Sequence, residues 1–148
     1  MSTYATHKKA RFDYEILDTY EAGIVLSGNE VKSVRSNRAK LEGAFVIIRG
    51  KEAFVVGMQI PAFQPANAPK SYELDRPRKL LLSKKQIDEM DQKTNTDRLT
   101  AIPLKLYNKN RKIKLEIAIA RGKKQHDKRE TLKARDTKRD IDRTLKNQ

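Results

Sequence analysis

The sequence predicts a mostly β protein, with five or six antiparallel strands in a small barrel, two or three short helices and a basic C-terminal tail. Two β-branched runs flanking turn residues predict one hairpin, and an apolar alternation near residue 115 predicts another. The third observation is composition, because 37% hydrophobic residues in 148 supply only a modest core. Closing the sheet would remove exposed strand edges economically in a chain of this size.

The N-terminal elements are a short arm, an alternating segment and a first helix. Residues 1–11 are polar and basic, and we expect a loose arm before a barrel of residues 12–120. The segment "FDYEILDTYEAGIVLSG" alternates and predicts two strands that meet at a bend or bulge near Gly23. In "SGNEVKSVRSN", Ser27 or Asn29 can cap one or two helical turns across the barrel end.

The middle of the chain predicts a hairpin, a long loop and a second helix. The hairpin is "GAFVIIRGKEAFVVGMQI", with its turn at residues 49–51, where Gly50 can supply a positive φ. Four of the five prolines fall in residues 61–79, which predicts a long loop. Ser83 with Gln86 three residues later forms a capping-box pattern, so a helix should start near Ser83.

The segment "TAIPLKLYNKNRKIKLEIAIA" predicts the last hairpin. Its first strand should place Ile102, Leu104 and Leu106 on one face. Because Pro103 cannot donate to a strand ladder, its strand should start there or lie on an edge. Strands of this number with a basic outer face and long loops fit an oligonucleotide-binding (OB) Greek-key barrel.

The C-terminal tail, residues 121–148, carries 11 basic and 5 acidic side chains and very few large aliphatic ones. Opposite charges recur there at helical spacing, but each such pair contributes only about 0.2–0.5 kcal/mol. The apolar seam of Ala134, Ile141 and Leu145 is too narrow to anchor a helix to the barrel. We therefore expect a tail that is disordered alone and helical on a polyanion.

Composition also excludes several classes of protein. The formal net charge of +14 favours polyanionic partners. The chain has no Cys, so neither disulfides nor Cys-based zinc sites are possible. The N-terminus lacks the apolar region of a signal peptide, and no apolar run approaches about 18 residues, so we expect a cytoplasmic protein without a membrane partner. The only histidines, His7 and His126, lie far apart, and we expect neither metal nor cofactor.

Nucleic-acid binding is the function that the basic stretches favour. The segment "YATHKKARFDY" interleaves cations with aromatic rings, which pairs phosphate contacts with stacking surfaces. In "DRPRKLLL", three consecutive leucines cannot all face the core, so at least one should be exposed beside basic residues or sit at a junction. A lysine stripe should run along the outer face of the last strand. The cations proposed from charge to contact RNA are Lys8, Lys9, Arg11, Arg78, Lys79, Lys112 and Lys114.

Two other functions remain open at this point. A general single-stranded RNA-binding OB protein would show the same basic and aromatic pattern. A Mg²⁺-dependent nuclease would need clustered carboxylates, for which the N-terminal region offers Asp13, Glu15, Glu21 and Glu30. The sequence contains no phosphate-binding loop, dinucleotide fingerprint or nucleophile elbow.

Four blocks together resemble the SsrA-binding protein (SmpB) family: "YEAGIVLSGNEVKSVR", "PRKLLL", "IPLKLYNKN" and "ARGKKQHDKR". They agree in order and spacing, and the resemblance runs from about Lys8 to the C-terminus. It implies an OB-type barrel without catalytic activity, acting as a monomer. It further implies binding to the tRNA-like domain of tmRNA (SsrA RNA) and its delivery to stalled ribosomes for trans-translation.

The resemblance also assigns residues. It places Glu21, Leu81 and Lys114 at the elbow of the tRNA-like domain. The family usually carries Asn in place of His7 and His in place of Phe12, so no polar contact of the arm is carried over. The tail is implied to be helical on the ribosome, in the 16S rRNA decoding centre and the empty mRNA channel. The implied ribosome-engaging residues are Arg121, Gly122, Lys123, Lys124, His126, Asp127, Lys128, Arg129, Lys133, Arg135 and Leu145.

Overall fold

The computed structural model describes residues 2–67 and 72–122, and the predictions for residues 123–148 lie outside this part of the chain. Its strands are β1 (Thr3–Thr6), β2 (Tyr14–Ile24), β3 (Phe45–Arg49), β4 (Glu52–Val56), β5 (Arg78–Leu81), β6 (Thr100–Lys109) and β7 (Lys112–Gly122). Its α-helices are α1 (Ala10–Asp13), α2 (Gly28–Arg35) and α3 (Lys84–Asp91). A 3₁₀ turn spans Pro65–Asn67, and a π-helical turn, Gln92–Thr96, continues α3.

All strand pairings are antiparallel, and the strand order is β1-β6-β3-β4-β5-β2-β7. Because β7 also pairs with β6, six strands close into a ring and β1 is added to β6 outside it. The predicted mostly antiparallel sheet with short helices is confirmed, with seven strands rather than five or six. The main core fills the ring and includes Leu41, Val55, Leu106, Leu115 and Ile117.

The N-terminal segment is part of the sheet, so the prediction of a loose arm is wrong. In β1, Ala5 pairs with Leu106 and Thr6 pairs with Lys105. Tyr4 and Ala5 pack against the main core, and Ala10 in α1 is buried. A strand of four residues is too short to be recognised in the sequence from the alternation of its side chains. Its stability comes from pairing with the neighbouring strand.

Both predicted hairpins are confirmed. The turn between β3 and β4 consists of Gly50 and Lys51, with φ of 57° and 62°. The turn between β6 and β7 consists of Asn110 and Arg111, with φ of 52° and 66°. Two consecutive positive φ values are typical of the type I′ turn, whose twist matches that of the strands it joins.

The predicted bend near Gly23 is wrong, because β2 is one continuous strand. Its irregularity lies earlier, between Ile16 and Asp18. Gly23 instead permits a close approach of strands, since a Cβ there would lie 3.2 Å from the Cβ of Leu81. A residue with a Cβ at this position would therefore press on the side chain of Leu81, which would have to shift by a few tenths of an ångström.

A bulge in β6 also changes which residues share a face. The register shifts between Pro103 and Lys105, so Ile102 and Leu104 join a second small cluster with α1, while Leu106 enters the main core. The prediction of one shared face was therefore wrong. Pro103 lies inside β6 rather than at its start, at the point where the flanking strand changes from β3 to β1. Pro103 pairs in register with Ile117 of β7 next to the bulge, so the proline is accommodated at an irregular point of the ladder.

The helix starts follow the predicted caps. Ser27 Oγ accepts from the Glu30 N–H at 3.2 Å, and Glu30 Oε1 accepts from the Ser27 N–H at 2.8 Å. Ser83 and Gln86 form the same reciprocal pair at the start of α3. Both capping boxes are confirmed. No helix of the described residues is long and apolar enough to cross a membrane.

Candidate RNA-binding surface

The candidate surface is centred on Gly23, where β2 lies between β5 and β7. Gly23 pairs with Leu81 on one side and with Lys114 on the other. Neighbouring Leu80 and Leu115 are buried, so strand alternation turns Leu81 and Lys114 to the outside of the ring. Leu81 is 55% exposed, which confirms that one of the three consecutive leucines does not face the core.

Glu21 lies two residues before Gly23 and therefore on the same outer face. The hydroxyl of Tyr107 donates to Glu21 Oε2, and Lys109 Nζ lies 3.2 Å from Oε1. The hydrogen bond from Tyr107 lowers the pKa of Glu21; slight burial opposes this, while Lys109 and Lys114 reinforce it. Glu21 is thus a charged acceptor at neutral pH. We call this surface the β2 patch, defined as Glu21, Gly23, Leu81, Lys112 and Lys114.

An open groove of about 330 Å³ adjoins the β2 patch between the strands and α2. Its floor is apolar and its rim is cationic. An apolar floor suits the flat face of an unstacked base, and cations at the rim suit phosphates. The groove is lined by Gly23, Ile24, Leu26, Val31, Arg35, Leu81, Arg111, Lys112, Ile113 and Lys114.

Two further predicted cations lie on outer faces of the ring. Lys112 opens β7 and lines the groove. Lys79 is on β5, two residues before Leu81 on the same outer face, and its Nζ lies 3.4 Å from Glu52 Oε1. Both side chains are exposed, so phosphate could replace water around them.

Arg78 is buried, so its predicted role as an RNA contact is wrong. Its Nε lies 2.5 Å from Glu30 Oε2, and its Nη1 and Nη2 donate to the carbonyl oxygens of Met58 and Leu74 at 2.7 and 2.9 Å. Arg78 alternates with the exposed Lys79, which turns it to the inside of β5. The guanidinium therefore holds α2 to the sheet.

Glu30 is the buried partner of that guanidinium and also accepts from Arg76. Burial alone would raise its pKa, but the Ser27 N–H and the two arginines outweigh burial and hold the pKa below its ordinary value. Glu30 is therefore unavailable to a metal ion. Among the residues that the structure describes, no group of three or more His, Asp and Glu side chains is placed to hold one.

The N-terminal cations lie around α1, beside a cavity of about 310 Å³. Lys8 and Arg11 line this cavity together with Lys105 and Glu116, and Lys9 directly precedes α1. Lys105 is paired with Glu116 at 3.3 Å, and Glu116 pairs in register with Glu21. One row of charges across β6, β7 and β2 thus joins the α1 region to the β2 patch.

Comparisons with known proteins identify the family. The family model described as "SmpB protein" matches residues 4–147. The chain belongs to the SmpB family. The resemblance seen in the four sequence blocks is therefore confirmed.

Relatives agree along nearly their whole length. The chain is similar to the SsrA-binding protein of Mycoplasma mycoides, with 53% identity over 90% of either chain. It is also similar to the SsrA-binding protein of Enterococcus hirae, with 48% identity over 97% of this chain and 92% of the relative. A solved structure described as "tmRNA-SmpB: a journey to the center of the bacterial ribosome" shares 35% identity, with a TM-score of 0.68 over 86% of this chain and 92% of the other.

Of the SmpB-type tail, the structure describes only the first two residues. Arg121 and Gly122 end β7 and pair with Glu15 and Tyr14 of β2. Arg121 Nη1 lies 4.0 Å from Glu15 Oε2, and both side chains are exposed. The predictions for Lys123 onward lie outside the described residues.

Sequence reasoning missed two residues that contact Glu21 at this candidate surface, Tyr107 and Lys109. Both reach Glu21 from β6 across the sheet. The available signal was the alternation in "LKLYNK", which places Lys105, Tyr107 and Lys109 on the same face of β6. On the neighbouring strand β7, Lys114 is the register partner of Tyr107.

Proposed function

We propose that this chain is a non-enzymatic RNA-binding protein that binds the tRNA-like domain of tmRNA (SsrA RNA) and delivers it to stalled ribosomes for trans-translation. Membership of the SmpB family supports this, as do the SsrA-binding names of relatives that match it along most of their length. The observation that carries the proposal is the convergence of Glu21, Leu81 and Lys114 around Gly23.

The two parts of the chain divide the work. The sheet and short helices from β1 to the end of β7, as an OB-type Greek-key barrel in the cytoplasm, bind the RNA. Arg121 and Gly122 end β7, and the rest of the tail, residues 123–148, enters the decoding site and the empty mRNA channel as a helix. Its excess of basic residues and its helical charge spacing suit a path lined by rRNA phosphates.

The β2 patch suits a folded RNA elbow better than an extended strand. Its recognition elements are few and close together: one exposed leucine, two lysines and one acceptor. An elbow displays unstacked bases and 2′-hydroxyls beside phosphates, so Leu81 packs on a base or sugar while Lys114 meets a phosphate. Glu21 accepts from a base amino group or a 2′-hydroxyl. A general single-strand binder would instead need stacking surfaces repeated along a groove.

The test measures binding of the full chain to the tRNA-like domain of tmRNA and to a scrambled RNA of equal length at one low salt concentration. Glu21→Arg and Lys114→Glu should each weaken binding to the tRNA-like domain. The matched controls are Glu15→Arg on the same strand and Lys51→Glu in the β3–β4 turn. Controls that weaken binding as strongly as the patch variants would refute the assigned surface. Equal affinity of the unaltered protein for the two RNAs would favour a general single-strand binder.

A further inference from the structure

The hydroxyl of Tyr107 is held at the β2 patch without being exposed there. Tyr107 is only 4% exposed, and Lys105 Nζ covers its ring at 5.2 Å from the ring centroid. Its hydroxyl donates to Glu21 Oε2. Tyr107 therefore has almost no surface with which to touch RNA, and its polar atom is committed to Glu21.

Glu21 has a second partner of a different kind. Lys109 Nζ lies 3.2 Å from Oε1 and 3.3 Å from Oε2, but the Lys109 side chain is 46% exposed. Water and salt compete with such a pair, which contributes little to holding a geometry. The bond from Tyr107 is sheltered and comes from a side chain with few rotamers, so Tyr107 determines where the carboxylate points.

We infer that Tyr107 is a positioning residue for RNA recognition, whose hydroxyl fixes the carboxylate of Glu21 so that its remaining lone pairs receive a donor from the RNA. The inference rests on the proposed function of the β2 patch. An ionised carboxylate offers about four acceptor positions, of which Tyr107 uses one. The RNA donor replaces the exposed Lys109 at the Glu21 carboxylate, while the hydrogen bond from Tyr107 to Glu21 is kept.

The experiment is a double-mutant cycle that measures affinity for the tRNA-like domain of tmRNA. Tyr107→Phe removes one oxygen and keeps the buried ring. It should weaken binding about tenfold when Glu21 is present, the size expected if the hydrogen bond from an RNA donor to the charged Glu21 is lost. In a Glu21→Ala background, the same change should alter affinity less than about twofold.

The matched control is Tyr20→Phe. Tyr20 is also buried, and its hydroxyl also donates to a carboxylate, that of Glu89 at 3.0 Å, but this pair joins β2 to α3 and lies outside the β2 patch. Tyr20→Phe should therefore leave RNA affinity unchanged. Affinities are compared at a temperature where circular dichroism shows each variant fully folded.

The outcomes separate the inference from the proposed function. If Tyr107→Phe weakens binding equally with and without Glu21, or does not weaken it at all when Glu21 is present, Tyr107 does not act through Glu21 and the inference is overturned. If Glu21→Ala itself leaves affinity unchanged, the β2 patch is not the RNA surface and both fail. If Glu21→Ala weakens binding while Tyr107→Phe does not, the proposed function stands and only the inference fails.

Discussion

Replacing Arg78 with methionine should destabilise the fold without removing an RNA contact. The change leaves the buried Glu30 carboxylate without its closest buried cation and frees the carbonyl oxygens of Met58 and Leu74. Removing one partner of a buried ion pair typically costs about 3–5 kcal/mol. We expect the lower end, about 3 kcal/mol, because Arg76 still reaches Glu30.

The assay is urea unfolding followed by circular dichroism, with the free energy of unfolding extrapolated to water. The matched control is Lys79→Met, next along β5 but exposed, which should change the free energy of unfolding by less than about 0.5 kcal/mol. RNA affinity of the folded Arg78→Met protein should stay close to that of the unaltered chain. A loss of stability below about 1 kcal/mol, together with weaker RNA binding, would refute the structural role of Arg78.

Three further outcomes follow from the described contacts and the proposed tail. The fold lowers the pKa of Glu30, so its ionised carboxylate stabilises the protein above the ordinary carboxyl pKa. That contribution is lost as the pH falls through the lowered pKa of the folded state. Glu30→Gln should therefore make the free energy of unfolding less sensitive to acid, as measured by urea titrations at several pH values. Gly23→Val should displace Leu81 and weaken binding to the tRNA-like RNA. Gly28→Ala should not, because a Cβ at Gly28 would have no heavy atom within 4 Å. Equal effects of the two changes in a filter-binding assay would contradict this. Truncation after Lys124 should leave that binding intact and abolish tagging on stalled ribosomes in a reconstituted translation assay, and a collapse of RNA affinity would show that the two parts do not divide the work.

Local sequence signals predicted those elements whose cause is local. Ser27 and Ser83 cap helices through residues three positions away, so both starts were visible in the sequence. Both hairpins follow from β-branched runs flanking residues that take two consecutive positive φ values. Alternation in a run of three leucines predicted that at least one of them would not face the core, and the family resemblance pointed to Leu81, which is exposed.

Features that depend on distant partners were not predictable in this way. In the sequence, Arg78 is one of several neighbouring basic residues. It is buried because it pairs with Glu30, which lies 48 positions earlier in the chain. The bulge at Pro103 depends on which strands flank β6. The strand β1 forms because its backbone pairs with that of β6. Tyr107 gains its role from Glu21, which lies 86 residues away in sequence. In each case the partner is distant in sequence and comes close only in the folded chain.

The most direct test of the central claim places a benzophenone amino acid at position 81 in place of Leu81 and maps its ultraviolet crosslinks to tmRNA. Leu81 is exposed at the centre of the β2 patch, so crosslinks should concentrate in the elbow of the tRNA-like domain. The matched control is the same replacement of Phe45, which is 47% exposed at the start of β3, outside the β2 patch, and should give few crosslinks. Equal crosslinking from the two positions, or crosslinks from position 81 scattered along the RNA, would contradict the assignment of this surface.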